Sequence, residues 1–192
     1  MKKRIAILGS TGSIGKSLFK ILDKNKKNFY IELLTAKTDY NTLLKQATRF
    51  KVKNLIITNK QSYKLLKEKT KKTNIKIYNN FESFNKIFEK KIDYVMSAIT
   101  GIDGLYPTYN IIKYTKKIAI ANKESIICAW DLLFKKLKLC KTEFIPVDSE
   151  HFSIWYALKG NKKENLDKII LTASGGPFIN LPLTKFTNIK IK

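Results

Sequence analysis

The chain is poor in the residues that staple, ligate or stiffen small proteins: two cysteines, one histidine and four prolines in 192 residues. Cys128 and Cys140 have neither metal-knuckle nor redox spacing. That excludes a disulfide scaffold or zinc module and fits a reducing, cytoplasmic setting. Arginine is nearly absent. Only Arg4 and Arg49 stand among 38 basic residues, the rest being lysines, against 15 acids. The planar arginine fork is the usual reader of bases and paired phosphate oxygens. The formal charge of +23, spread over predicted helix surfaces, therefore reads as a solvated basic face rather than a nucleic-acid footprint. Long apolar runs are missing as well. After the basic Met1–Arg4, the apolar run Ile5–Leu8 stops at Gly9, too short for a signal core, and no stretch reaches membrane-spanning length. Neither internal repeats nor low-complexity linkers occur.

What is there suffices for a packed core: 44% of residues are apolar and 11% aromatic. The length holds one full domain and part of a second. Apolar runs at Arg4–Leu8, Tyr30–Ala36, Asn54–Thr58, Ile75–Tyr78, Tyr94–Ile99 and Ile118–Ala121 read as strands. Helical patterns lie between several of them, at Asn59–Lys71, at Phe81–Phe88 and from Leu105 with Pro107 in its first turn. Strands alternating with helices predict a parallel sheet covered on both faces. The expected class is α/β, a Rossmann-like, doubly wound, mostly parallel sheet over residues 1–145. The start of an incomplete α+β catalytic domain follows at 146–192.

Glycine is scarce, yet three of the eight glycines fall at Gly9, Gly12 and Gly15, directly after the first strand. Ile14, Leu18, Ile21 and Leu22 follow at helical spacing and predict an apolar helix face. Strand, glycine turn and helix in that order suit a dinucleotide pyrophosphate. Glycine lets the backbone come close, and the helix N-terminus offers free N–H groups to the anion. The spacing is GxxGxxG rather than GxGxxG, and a glycine turn without a ligand is the bland alternative. A P-loop is excluded because five residues, not four, separate Gly9 from Gly15-Lys16-Ser17. Ser13-Ile14-Gly15-Lys16 matches SxxK without its partner motifs, and Tyr63 to Lys67 fits YxxxK on a solvated helix. At the end of the second strand stands Lys37, with Asp39 two residues on. A cation there suits a 2′-phosphate and an acid suits a ribose hydroxyl, so the reading is NADP over NAD.

Three further clusters sit where apolar strands end. The first is Asn122-Lys123-Glu124-Ser125, with Ile126, Trp130, Leu133 and Leu137 expected on the core face of the following helix. The second is Asp148-Ser149-Glu150-His151, after Phe144–Val147. In an extended segment Asp148 and Glu150 would point the same way and could share a hard cation. A short amphipathic helix with Phe152, Trp155, Tyr156 and Leu158 is expected next. The third cluster, Ser174-Gly175-Gly176-Pro177-Phe178, follows a predicted strand at Lys168–Thr172 and offers a hydroxyl and open N–H groups to a phosphate. An ordinary Gly-Pro turn is its alternative.

GSTGSIG at Gly9–Gly15, ANKES at Ala121–Ser125, PVDSEH at Pro146–His151 and SGGPF at Ser174–Phe178, in that order, closely resemble the 1-deoxy-D-xylulose 5-phosphate reductoisomerase family. The resemblance implies NADPH-dependent rearrangement and reduction of a small phosphorylated sugar, 1-deoxy-D-xylulose 5-phosphate, to 2-C-methyl-D-erythritol 4-phosphate. It assigns Gly9, Thr11, Gly12, Ser13, Ile14, Gly15, Lys37, Asn122 and Glu124 to the cofactor. Asp148 and Glu150 would hold Mg²⁺ or Mn²⁺, while Lys123, Ser149, Glu150 and Ser174 would meet substrate, with Lys123 and Glu150 at the chemistry. The family has Gly-Lys-Asn where this chain has Ala36-Lys37-Thr38. The resemblance also implies a homodimer, with no nucleic-acid or membrane partner. Family members run well beyond this length. The expectation is therefore a fragment that lacks the third metal carboxylate, the lid and part of the phosphate site, with little or no turnover alone. Two other readings stay open: a dinucleotide-binding remnant without metal-dependent turnover, and a basic nucleic-acid binder whose affinity falls steeply with salt.

Overall fold

The computed structural model describes residues 2–161, 165–170 and 180–188. The chain divides into two compact units, Met1–Asp148 and Ser149–Lys192. The first is built on seven strands: β1 (Lys3–Leu8), β2 (Phe29–Ala36), β3 (Asn54–Ile57), β4 (Lys76–Tyr78), β5 (Ile92–Ser97), β6 (Thr115–Ile120) and β7 (Glu143–Pro146). They form one sheet in the order β4-β3-β2-β1-β5-β6-β7, and every pairing is parallel. Its helices are α1 (Ser13–Lys24), α2 (Tyr40–Phe50), α3 (Lys60–Lys69), α4 (Phe84–Ile87), α5 (Leu105–Ile111) and α6 (Lys123–Leu139). The chain winds outward from β1 to β4, then returns to β1's other side and winds out again to β7. The direction reverses between β1 and β5, and the crevice at their carboxyl ends is where such sheets take ligands.

The period-two alternation of β1 explains the two layers. Ile5 and Ile7 face one side, packed with Phe19 and Leu22 of α1, Leu43 and Ala47 of α2 and Leu66 of α3. Ala6 and Leu8 face the other, with Phe84, Ile111, Leu133 and Leu137. Ile7, Leu8, Leu43 and Leu66 are each wholly buried. Such side chains contribute about 1.5–3 kcal/mol apiece, which is why four successive apolar residues belong in one strand buried on both faces.

Several expectations are corrected. The α1 face is Gly15, Phe19 and Leu22, whereas Ile14 and Ile21 are 38% and 59% exposed. Phe19, one position after Leu18, leads the stripe because its ring meets Phe50 edge-on, with centroids 5.0 Å apart. The helix α2 went unanticipated; Asp39 caps it by accepting from the Thr42 N–H at 2.9 Å. In α6, Leu133 and Leu137 are buried as expected, but Trp130 is exposed and stacks on Phe134. The cause is a break at Ala129 (φ −144°, ψ 31°), which rotates the two halves out of phase.

In the second unit, α7 (Ser149–Leu158) starts earlier than anticipated and takes in Ser149, Glu150 and His151. The extended DSEH segment is thereby replaced by a bend at Asp148 and a helix start. The rings of Phe152 and Tyr156 stack at 5.8 Å, one helical turn apart. Asp167–Ile170 forms no strand. Residues 171–179, including Ser174, lie outside the described residues.

Candidate functional site

The glycine loop is held rigidly at the carboxyl end of β1. Gly9 has φ +77°, a left-handed backbone open to glycine, and an added Cβ would sit 2.7 Å from the Ala98 carbonyl oxygen. The Gly9 N–H donates to Thr35 Oγ1 and the Ser10 N–H to the Thr35 carbonyl, each at 2.9 Å. Buried Gln46, reaching over from α2, donates to the Ser10 carbonyl at 2.9 Å and meets Ser10 Oγ at 2.8 Å. Gln46 escaped the sequence reading because α2 did. Its signal was the Asp39 cap followed by Leu43 and Ala47 four apart.

The helix that follows presents its bare end to the crevice. Gly12, the residue before α1, makes no side-chain cap, and no acid lies in the first turn. By contrast α2, α3 and α6 are capped by Asp39, Asn59 and Asn122. The first amides of α1 at Ser13 and Ile14 thus keep the free N–H groups and partial positive charge that suit an anion. A Cβ at Gly12 would meet nothing nearer than the Gly9 carbonyl at 3.5 Å, whereas one at Gly15 would strike the backbone of Gly9 and Ser10. So Gly15 lets the helix pack and Gly12 leaves the approach open.

A cavity of about 620 Å³ lies over this loop, lined among others by Gly9, Thr11, Gly12, Ala36, Lys37, Ile99, Asp103 and Tyr106. Its size is in the range of small-molecule sites. Lys37, at the end of β2, pairs with Asp103 of the 3-10 turn Ile102–Gly104 at 3.0 Å. Asp39 serves as the cap of α2. Burial pushes its carboxyl up, but the Thr42 backbone N–H and hydroxyl, with the charges of Lys16 and Lys45, outweigh this and hold it below the usual carboxylate range. A second acid beside Lys37 is Asp103, which sequence reasoning missed because 66 residues separate it from Lys37.

A smaller cavity of about 230 Å³ shares Ala98, Ile99 and Thr100 with the first and is also lined by Ile14, Asn122, Lys123 and Glu124. Here α1 and α6 bring two of the sequence clusters together. Asn122 itself is 3% exposed. Its amide donates to the carbonyls of Ile99 and Gly101 and its oxygen accepts from the Ser125 N–H. Its side chain therefore ties the loop after β5 to the start of α6. Lys123 and Glu124 are exposed in the first turn of α6.

Asp148 ends the first unit and is half-buried; Ser149 and Glu150 open α7 in the second and are exposed. Carboxylate oxygens are the right donors for a hard divalent cation, which takes about six oxygen ligands in all, several of them water for Mg²⁺. Among the described residues no three His, Cys, Asp or Glu side chains form a metal-holding group. Also among the described residues, no helix is long and apolar enough to cross a membrane.

Comparison with known proteins gives a consistent result. The family model described as 1-deoxy-D-xylulose 5-phosphate reductoisomerase matches residues 5–130, and that of the same enzyme's C-terminal domain matches 144–192. The reductoisomerase of Pelagibacter ubique (strain HTCC1062) is 59% identical over 99% of this chain and 50% of its own length. That of Wolbachia pipientis subsp. Culex pipiens (strain wPip) is 41% identical over 98% and 48%. Among solved structures, the Zymomonas mobilis reductoisomerase in complex with NADPH superposes with a TM-score of 0.84 at 31% identity, covering 96% of this chain and 49% of that one. Another, with NADPH, fosmidomycin and magnesium, gives 0.80 at 30% identity, covering 97% and 49%. The chain spans about half the length of the relatives it matches.

Proposed function

The chain belongs to the 1-deoxy-D-xylulose 5-phosphate reductoisomerase family, and from that membership we propose that it forms the cofactor-binding half of an NADPH-dependent reductoisomerase, converting 1-deoxy-D-xylulose 5-phosphate to 2-C-methyl-D-erythritol 4-phosphate. The observation that carries this is the uncapped start of α1 above an open glycine at the reversal point of the sheet. The pyrophosphate would sit on the amides of Ser13 and Ile14, with Gly9, Thr11 and Gly12 beneath it and Gly15 behind. Lys37 would answer a 2′-phosphate. Ile14, Lys123 and Glu124 would flank the nicotinamide end from the smaller cavity, with Asn122 fixing that wall.

Residues 1–145 serve the cofactor and 146–192 open the metal- and substrate-binding part. In that part Asp148 and Glu150 supply oxygen donors to Mg²⁺ or Mn²⁺, and Ser149 and Ser174 bind substrate, Ser174 at its phosphate. When bound, the nicotinamide supplies hydride and the cation Lewis acidity. The Lys123 ammonium stabilises negative charge developing on substrate oxygen. A cytoplasmic homodimer is part of the proposal.

The test is a pair of assays on the chain: NADPH binding by fluorescence, and NADPH oxidation with deoxyxylulose phosphate and Mn²⁺. Saturable binding supports the proposal; a folded chain that binds no NADPH overturns it. Binding without oxidation favours dinucleotide binding alone for these residues.

A further inference from the structure

We propose that Asp103 sets the cofactor preference of this site by competing with the cofactor's 2′-phosphate for Lys37. The inference rests on the dinucleotide reading above and adds a residue that the cluster motifs do not contain. Lys37 and Asp103 line the same cavity, reached from the two strands that flank β1. Their charged atoms are 3.0 Å apart, and the side chains are 75% and 66% exposed, so both face solvent where a ligand enters.

Two chemistries meet at this pair. A 2′-phosphate needs the ammonium that the Asp103 carboxylate holds, and it is repelled by that carboxylate. A bare ribose 2′-hydroxyl suffers neither effect and can donate to the acid, as it does to the acidic residue of NAD-type sites. Asp103 therefore burdens NADPH and spares NADH. Because an exposed ion pair is weak, the phosphate dianion still displaces it, and the preference for NADPH is blunted rather than reversed. Asp39, which caps α2 through the Thr42 N–H, does not line this cavity, whereas Asp103 does. The substitution of choice is Asp103→Asn, nearly the same shape without the charge.

NADPH and NADH are titrated into the native chain, Asp103→Asn, Lys37→Ala and the double variant by nicotinamide fluorescence, with circular dichroism to verify folding. Removing a competing exposed charge should tighten NADPH about three- to tenfold and change NADH less than about twofold. Lys37→Ala should weaken NADPH about tenfold and leave NADH nearly unchanged. In the Lys37→Ala background the gain from Asp103→Asn should shrink, which reports competition for that lysine. A NADPH-to-NADH ratio unmoved by Asp103→Asn overturns the proposal, as does full additivity of the two substitutions. Should no folded variant bind either dinucleotide, the dinucleotide reading itself fails and the proposal falls with it.

Discussion

Gly12 and Gly15 stand three apart in one motif, and their environments predict opposite outcomes on conversion to alanine. At Gly15 the new Cβ would lie 2.6 Å from both the Gly9 carbonyl oxygen and the Ser10 carbonyl carbon, and closer still to the Ser10 oxygen. All three atoms are backbone, so no side chain can rotate away. Overpacking of that kind costs about 1–3 kcal/mol or more, offset by up to about 1 kcal/mol from alanine's better helix propensity. With three backbone atoms struck the upper end of that range applies, so a net loss of about 2 kcal/mol is expected, a fall in Tm of about 4–8 °C for a chain of this size. At Gly12 the backbone is ordinary (φ −72°, ψ 175°) and the Cβ makes only an ordinary van der Waals contact with the Gly9 carbonyl oxygen at 3.5 Å, so Tm should barely move. That methyl instead stands where a pyrophosphate must approach the α1 amides, and NADPH affinity should drop about tenfold, as for lost close approach to a phosphate. Thermal unfolding and NADPH titration of both variants separate the effects. Equal destabilisation of the two, or unchanged NADPH affinity in Gly12→Ala, would refute the reasoning.

Asn122→Ala removes an α6 cap and leaves the carbonyls of Ile99 and Gly101 without their donor. A loss of about 2–4 kcal/mol in urea unfolding is expected, with Asn122→Asp restoring only the cap. Asp39→Ala should cost about 1 kcal/mol at pH 7 through loss of the α2 cap. Since the folded carboxyl of Asp39 is depressed, its stabilisation is present above about pH 4 and lost as pH falls through the lower folded value. The gap between Asp39→Ala and the native chain should accordingly close in acid; a gap that widens there contradicts the assignment. Asp148→Asn with Glu150→Gln should abolish Mn²⁺ binding seen by electron paramagnetic resonance and leave NADPH affinity within about twofold. Mn²⁺ binding that survives both changes removes these carboxylates from the metal site.

The sheet could be read from the chain because its signals are local. Ile5–Leu8 is apolar on both faces, and the glycine turn follows it at once. What escaped depends on contacts far apart in sequence or on breaks in phase. The helix carrying Gln46 was passed over, and with it the side chain that braces the Ser10 carbonyl. Asp39 looked like an acid aimed at the ribose until α2 claimed it as a cap, while the acid beside Lys37 comes from a turn after β5. Trp130 kept perfect helical spacing with Leu133 and Leu137, but one non-helical residue, Ala129, took it off their face. Asp148 and Glu150 invited an extended reading because they alternate with Ser149, but α7 begins at Ser149.

The most direct measurement of the central claim is hydrogen–deuterium exchange of the chain with and without NADPH. Protection should gather at the amides of Thr11–Lys16, with a second patch at Lys37–Thr38 and the first turn of α6. Little or no change at 133–146, the end of α6 and β7, is expected, since none of these residues lines either cavity. Protection spread elsewhere, or none under saturating NADPH, would contradict a cofactor seated on the bare end of α1.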